Sequence, residues 1–388
     1  MYSVIPSPVR LSVVVSGMVA ADPYQGGASW AVLQYVLGLE RLGCDVTLVE
    51  QWDAPGEAKS LTRTSSGFYF REVARSFGIE ERSALLIAGT DQTVGLAYPR
   101  LLQRCRRADL LINISGILTD QQLVENIPVR AYLDLDPAFN QLWHESGIDM
   151  RFNGHNRFVT VGQALGTPEC PVPTAGRRWI ATLPPVVLDR WPRAGGPGDG
   201  SFTSIGNWRG YGSVEHEGVH YGQRVHSMRE FMALPRRTDA RFRLALAIHP
   251  DEKKDLAALD GNGWELVDPL DAAGTPERYV RFIQASSAEL GVAKSGYVVS
   301  RSGWFSDRSA CYLASGRPVL AQETGFSRFL PTGEGLLAFD TVDDAVAGVE
   351  AIQGDYARHA RAARGLAEEL LESDRVLRRL IDHLMDGS

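Results

Sequence analysis

The sequence predicts an α/β protein of two units, each a parallel sheet covered on both faces by helices. Three observations carry this. Short runs rich in valine, isoleucine and leucine alternate with segments of helical periodicity along the chain, the pattern of strand–helix–strand crossovers. The length of 388 residues exceeds what one hydrophobic core usually serves. Residues 184–200, PPVVLDRWPRAGGPGDG, cluster proline and glycine more densely than any other stretch and mark an exposed boundary.

The first unit opens on a trap. Residues 10–21, RLSVVVSGMVAA, imitate a secretion signal, with an arginine, an apolar run and a small-residue end. The run is broken by Gly17 and leads straight into a glycine pair and a helix, so we read residues 11–15 as the first buried strand. Residues 16–29 are loop. Residues 30–42 are a helix with Val32, Tyr35, Val36, Leu39 and Leu42 on one face, and Gly43 ends it. Residues 45–50 are the second strand. The polar stretch 53–83 is loop with one helix around 70–77. Residues 96–107 read as a helix whose basic end suits its dipole. Strand 109–114 closes at Ser115-Gly116, a short helix follows at 121–126, and strand 129–135 runs into Asp134-Leu135-Asp136-Pro137. Residues 157–162 are a further strand. Ligands of such sheets sit at the carboxyl ends of the strands, which brings forward Ser115, Asp134, Asp136 and the Asn153-Gly154-His155 turn.

The second unit begins at Ser201. Strand 202–205 leads into a glycine-rich loop at 206–212 that carries Arg209. A helix at 223–234 is stopped by Pro235, and strand 242–248 ends at His249-Pro250. Residues 264–267 are a short strand and 276–286 a helix. Tyr297-Val298-Val299 is a brief β-type run, with Lys294 just before it. Residues 302–306, SGWFS, turn the chain, and Asp307 caps a helix carrying Ala310, Cys311, Leu313 and Ala314. Gly316 ends that helix, and residues 318–321 are a buried strand. Helices at 341–352, 356–371 and 375–385 close the chain.

Composition narrows the function. An apolar content of 44% fits an ordinary globule. A formal net charge of −7 argues against nucleic acid as a partner, because phosphate backbones need a basic stripe. The four cysteines, Cys44, Cys105, Cys170 and Cys311, are scattered without a C-x-x-C, which implies reduced thiols and a cytoplasmic location. No apolar run is long enough to span a bilayer, so no integral membrane segment is expected. His216-Glu217-Gly218-Val219-His220 matches H-E-x-x-H, which binds zinc only on a helix. Gly210, Gly212, Gly218 and Gly222 interrupt the region, so we read a polar loop over a cleft and no metal.

The chemistry concentrates at residues 292–326. A glycine turn opening a helix points backbone N–H groups at one spot, which suits a phosphate. Lys294, Arg301 and Arg308 put three cations around it. Ser302, Gly303 and Ser306 supply hydroxyls and a close backbone. With Ala314-Ser315-Gly316-Arg317-Pro318-Val319 leading into the next strand and Glu323-Thr324-Gly325 following it, the stretch resembles the donor half of a GT-B glycosyltransferase.

The resemblance is most specific over residues 200–350 and weaker over 11–50. It implies two Rossmann-like domains facing a cleft: an acceptor-binding domain at 1–188, a donor-binding domain at 189–372, and a C-terminal helix at 373–388 crossing back. It implies transfer of a sugar from a nucleotide diphosphate donor, a UDP- or TDP-sugar foremost, onto a small-molecule acceptor, with basic side chains in place of a metal and no cofactor. Donor binding falls to Gly26, Gly27, Arg209, Lys294, Ser302, Gly303, Ser306, Asp307, Arg308, Glu323 and Thr324. Where relatives place a ribose-binding glutamate this chain has Cys311, and Asp307 is the substitute. If the reaction inverts, a base in the first domain must take the acceptor proton, and Asp136 and His155 are the candidates. Two other readings stay open: a sugar-nucleotide epimerase of the same fold, and a non-catalytic nucleotide-sugar-binding partner protein.

Overall fold

The computed structural model describes residues 10–53 and 61–386; residues 54–60 of the expected polar stretch lie outside them. The first sheet has eight strands. These are β1 (Ser12–Ser16), β2 (Asp45–Trp52), β3 (Ser83–Ile87), β4 (Thr93–Gly95), β5 (Leu110–Ile114), β6 (Val129–Asp134), β7 (Arg157–Thr160) and β8 (Trp179–Ala181). Their order is β4-β3-β2-β1-β5-β6-β7-β8, parallel throughout except for the β3–β4 pair. The segment that imitated a secretion signal is therefore the sheet's central strand, with Val13, Val14 and Val15 at most 1% exposed.

The second half holds β9 (Ser201–Asn207), a two-stranded hairpin of β10 (Val214–His216) and β11 (Val219–Tyr221), then β12 (Arg241–Ala247), β13 (Glu265–Leu266), β14 (Ala288–Gly291), β15 (Val319–Gln322) and β16 (Leu336–Phe339). Its six-stranded sheet runs β13-β12-β9-β14-β15-β16 and is all parallel. Both sheets wind outward in both directions from their first strand. Each therefore has a switch point, between β1 and β5 and between β9 and β14, where the crossovers part and leave a crevice.

The halves are joined twice at one place. Val186 donates its N–H to the Leu371 carbonyl at 2.7 Å, and Ser373 donates back to Val186 at 2.9 Å. The outgoing and returning chains thus run side by side as one short parallel bridge. The helix Ser373–Met385 then packs on the helix Gly26–Arg41 of the first half, so closely that a Cβ on Gly38 would stand 2.4 Å from Leu377.

Several elements differ from the sequence expectation. Tyr297-Val298-Val299 is not a strand but lies in the helix Ser295–Ser300, with Lys294 as its N-cap residue. Gly26 and Gly27 do not precede a helix; they form the first turn of Gly26–Arg41. The H-E-x-x-H residues are neither helix nor loop. Glu217 and Gly218 adopt positive φ angles of 50° and 76° at the turn of the β10–β11 hairpin, so the i,i+4 face that would pair the imidazoles does not form. The strands β3, β4, β8, β14 and β16 were not distinguished from their surroundings in the sequence. Among the described residues, no helix is long and apolar enough to cross a membrane.

Candidate active site in the cleft between the two sheets

The two sheets face a cleft of about 750 Å³. Its floor is the carboxyl end of the second sheet, residues 205–209 at the end of β9 and 245–250 at the end of β12. Asp307 and Arg308, at the start of the helix Asp307–Ala314, close the inner end. The loop Asp22–Gln25 with Gly27 and Ala28 of the first half forms the opposite wall, and Leu270 and Tyr279 a side.

Each cation has a physical reason to be where it is. Arg308 is buried; its Nε donates to Glu289 at 2.6 Å and its Nη1 to the Ile205 carbonyl at 3.0 Å. Burial disfavours its charge, but Glu289, itself 0% exposed, more than compensates and holds the guanidinium above its ordinary value. Arg224 opens the helix Arg224–Glu230 and is 7% exposed. It donates Nη1 to the Val292 carbonyl, while its Nε has no partner among the described residues. Burial, and next the charge of Arg308, push it down to about 9. Gly206, on the cleft floor, covers it: a Cβ there would sit 3.2 Å from Arg224 Nη2. Arg209 stands on the rim, half-exposed and paired with Glu252.

Lys294 belongs to a different constellation. Its Nζ donates to Asp136 Oδ1 at 2.9 Å, and the hydroxyls of Tyr211 and Tyr297 donate to the same oxygen. The ammonium also lies 3.7 Å from the centre of the Tyr211 ring. Burial lowers Lys294, with Asp136 opposing. Burial raises Asp136, but Lys294 and the two tyrosines outweigh it and hold the carboxyl below its ordinary value. Asp134, two residues earlier at the end of β6, pins this corner by accepting from Asn140, Gln141, Thr160 and the Asp136 N–H.

Of the residues singled out in the sequence, Gly27, Arg209, Asp307 and Arg308 line the cleft. The others have different surroundings. Gly26 serves the contact between the halves, since a Cβ would meet the Thr275 carbonyl oxygen at 2.2 Å. Ser302 accepts the Ala164 N–H at 2.8 Å, and Gly303, at φ 73°, backs onto the same residue, so both dock the second half on the first. Ser306 caps its helix by accepting the Arg308 N–H at 3.2 Å. Glu323 turns back on the Gly325 N–H, and Thr324 donates to the Trp304 carbonyl. Asp136 is tied to Lys294 and is not a free base. His155 lies away from the cleft, in a separate cavity of about 300 Å³ with Asn113 and Arg151. Its Nδ1 donates to the Arg151 carbonyl, so Nε2 accepts from Asn113, and burial lowers it to about 4, which leaves it neutral. Cys311 faces Gln34 of the first half at 3.8 Å. Arg224, Asn207, His249 and Tyr24 were missed. The rule that ligands gather beyond strand ends reaches Asn207 and His249 once β9 and β12 are placed; nothing in the sequence marks Arg224 as buried.

No protein-family model matches the sequence, and no curated protein matches it. Solved structures do match. The Anabaena protein HepE in complex with UDP-glucose superposes with a TM-score of 0.60 at 12% identity, covering 97% of this chain and 100% of that one. An alpha-glucosyltransferase in complex with UDP-glucose and DNA containing an abasic site gives 0.59 at 12% identity, covering 97% and 99%. The sucrose-phosphate synthase of Thermosynechococcus elongatus gives 0.55 at 12% identity, covering 98% and 100%. The chain has a GT-B fold. Arg308 sits at the β9–β14 switch point, bonded to Glu289 of β14 and Ile205 of β9, at the inner end of the cleft between the halves.

Proposed function

We propose that the protein is a glycosyltransferase that moves a sugar from a nucleotide diphosphate donor to a small-molecule acceptor. The observation that carries this is that Arg308 closes the inner end of a cleft of about 750 Å³ between the halves, with the buried Arg224 packed against Gly206 of its floor. Arg224 has an unpartnered donor and a charge disfavoured by its own surroundings. Such a site is completed by an anion, and a departing diphosphate is that anion.

In this reading residues 189–372 bind the donor and residues 1–188 the acceptor. The diphosphate lies over Gly206, between Arg224 and the first turn of the helix Asp307–Ala314. Arg209 clamps it from the rim, and the nucleoside extends past Asn207 and His249 towards Leu270 and Tyr24. Fixed cations then do the work of a metal. A UDP- or TDP-sugar is the donor we favour, since two solved neighbours of this fold, HepE and an alpha-glucosyltransferase, carry UDP or UDP-glucose in their complexes. The acceptor is a small molecule rather than nucleic acid, in keeping with a net charge of −7.

Thermal unfolding against UDP-, TDP-, GDP- and ADP-sugars, with EDTA and NAD as controls, tests the proposal. A donor at a hundredfold excess over Kd adds about 2.7 kcal/mol of stability. Stabilisation by one nucleotide series, weakened in Arg209→Ala, is the expected result. Indifference to every diphosphate nucleotide sinks the reading.

A further inference from the structure

At its inner end the cleft meets a second, small cavity. Asp307 lines both. The small cavity has a volume of about 20 Å³ and lies between the halves, with Tyr35 on the first-half helix Gly26–Arg41 and Asp307 on the second-half helix Asp307–Ala314. A cavity of about 10–15 Å³ by this measure admits one water-sized group. Apart from Gln34 the remaining walls are largely apolar, Leu135, Val161, Trp304 and Phe305 among them.

One polar group in that cavity lacks a partner, and a second can accept one more bond. Tyr35 is 2% exposed, and its hydroxyl has no hydrogen-bond partner among the described residues. A buried hydroxyl left unpaired costs about 1–3 kcal/mol, so such groups are normally completed by something. Burial and the nearby charge of Asp307 push the phenol up, so it stays protonated and can donate. Asp307 is an acceptor: burial raises its carboxyl, with Arg308 opposing. Gln34, the third polar residue there, is already engaged. Its Oε1 accepts the Val187 N–H at 2.8 Å and its Nε2 faces Cys311. What the cavity lacks is one group that accepts from Tyr35 and donates to Asp307, and a single hydroxyl does both.

We infer that the cavity between Tyr35 and Asp307 seats the attacking hydroxyl of the transfer reaction, with Asp307 as its base. This rests on the sugar-transfer reading above. Tyr35 donates to the hydroxyl oxygen and fixes it. Asp307 takes the hydroxyl proton as that oxygen bonds to the anomeric carbon of the sugar. The bond from that carbon to the diphosphate breaks, and its electron pair leaves on the diphosphate oxygen beside Arg308 and Arg224. The volume accepts a hydroxyl and little else, so the oxygen belongs either to water or to the tip of an alcohol acceptor.

Two measurements decide the matter. A high-resolution crystal structure of the free protein should show an ordered water within about 3 Å of both Tyr35 Oη and an Asp307 carboxylate oxygen. A dry cavity, or a Tyr35 hydroxyl bonded to protein, overturns the inference whatever the protein's activity. In the second, UDP binding is measured by calorimetry and UDP-glucose turnover with and without glycerol. Tyr35→Phe should bind UDP within about threefold of the unmodified protein, and Asp307→Asn is compared with it at saturating UDP-glucose. Turnover should fall about a hundredfold or more in Asp307→Asn and about tenfold in Tyr35→Phe. Free glucose as product names water as the nucleophile, and glucosyl glycerol names an alcohol. Full turnover in Asp307→Asn overturns the inference and leaves sugar transfer standing. Failure of the unmodified protein to bind UDP counts against the sugar-transfer reading instead.

Discussion

Lys294 reaches from the second half of the chain to Asp136 of the first and pairs with it at 2.9 Å. Residues 158 positions apart in sequence thus make an ionic contact across the cleft's flank, reinforced by the hydroxyls of Tyr211 and Tyr297. The pair is held on apolar ground, since Phe139 packs on both tyrosines. Neither charge is free to act on a ligand while the contact stands. Its consequence is for the angle between the halves.

Breaking this pair should loosen the halves before it unfolds either. Removing one partner of a fully buried ion pair costs about 3–5 kcal/mol. Here Lys294 is 18% and Asp136 31% exposed, so Asp136→Asn should cost about 2 kcal/mol. The pH dependence has a definite sign. Asp136 is held below its ordinary value, so its contribution is complete above the unfolded value of about 3.9 and is lost as pH falls through the lower folded one. Small-angle scattering should show expansion of the native protein in Asp136→Asn at neutral pH. An unchanged radius would mean that the pair does not set the angle.

Arg308 and Arg224 should separate stability from binding. Arg308→Ala leaves Glu289, 0% exposed, as an unpaired buried carboxylate, and should cost about 3–5 kcal/mol in urea unfolding. Arg224 is the opposite case. Burial and the charge of Arg308 already disfavour its guanidinium. Arg224→Gln should therefore change stability by less than about 1 kcal/mol while raising the Kd for UDP about tenfold or more. A large loss of stability with unchanged UDP affinity would show that Arg224 is structural.

Glu50 governs the wall of the cleft from behind. It is 0% exposed and accepts the N–H groups of Ala20 at 2.8 Å and Ala21 at 2.7 Å, in the loop that goes on to Tyr24 and Gln25. In dinucleotide-binding folds a carboxylate near this point of the second strand holds a ribose; in this chain it holds its own loop. Burial raises Glu50 from 4.5 to about 7, with those N–H groups opposing. Between these values the folded state binds the extra proton, so stability should fall as pH rises from about 4.5 to 7. Glu50→Gln should flatten that slope in urea unfolding measured across the window. A slope the same in both proteins would refute the assignment.

How much of this was legible in the sequence depends on what kind of signal each residue leaves. The parallel strands β1 and β5 were readable because both faces of each are buried and their apolar runs are nearly continuous. The helix Ser295–Ser300 was not. Its Tyr-Val-Val core has strand propensity, and packing overrides it: Tyr297 stacks on Trp304 at 4.1 Å, and Gly296 has room for Phe139 only because it lacks a side chain. At the site, the turn-helix of Asp307 and Arg308 carried a spacing pattern that could be read. Arg224, Glu50 and Tyr35 carried none, because an isolated charge or hydroxyl acquires its meaning only from what buries it. Ser302, Gly303 and Gly26 were ambiguous for a related reason. A glycine that admits a ligand and one that admits another piece of backbone look the same in sequence.

Gly26 offers the sharpest test of that distinction. A Cβ on Gly26 would stand 2.2 Å from the Thr275 carbonyl oxygen and 2.8 Å from that of Ala273. Both obstacles are backbone, so neither can swing aside as a side chain would. The helix Gly26–Arg41 must shift relative to the helix Pro276–Ala285 to accept even one methyl group. Trp30, whose indole N–H donates to the Pro276 carbonyl at 3.0 Å, would lose that bond in the same movement. Gly26→Ala should therefore open the wall formed by residues 22–28, raise the Kd for UDP about tenfold, and shift Trp30 fluorescence, while the far-ultraviolet circular dichroism stays unchanged. Gly27→Ala is the control: its Cβ would meet only the Tyr279 ring, at 3.0 Å, which can give by a few tenths of an ångström. If Gly27→Ala weakens UDP binding more than Gly26→Ala, the glycine pair serves the ligand directly, and the contact between the halves is secondary.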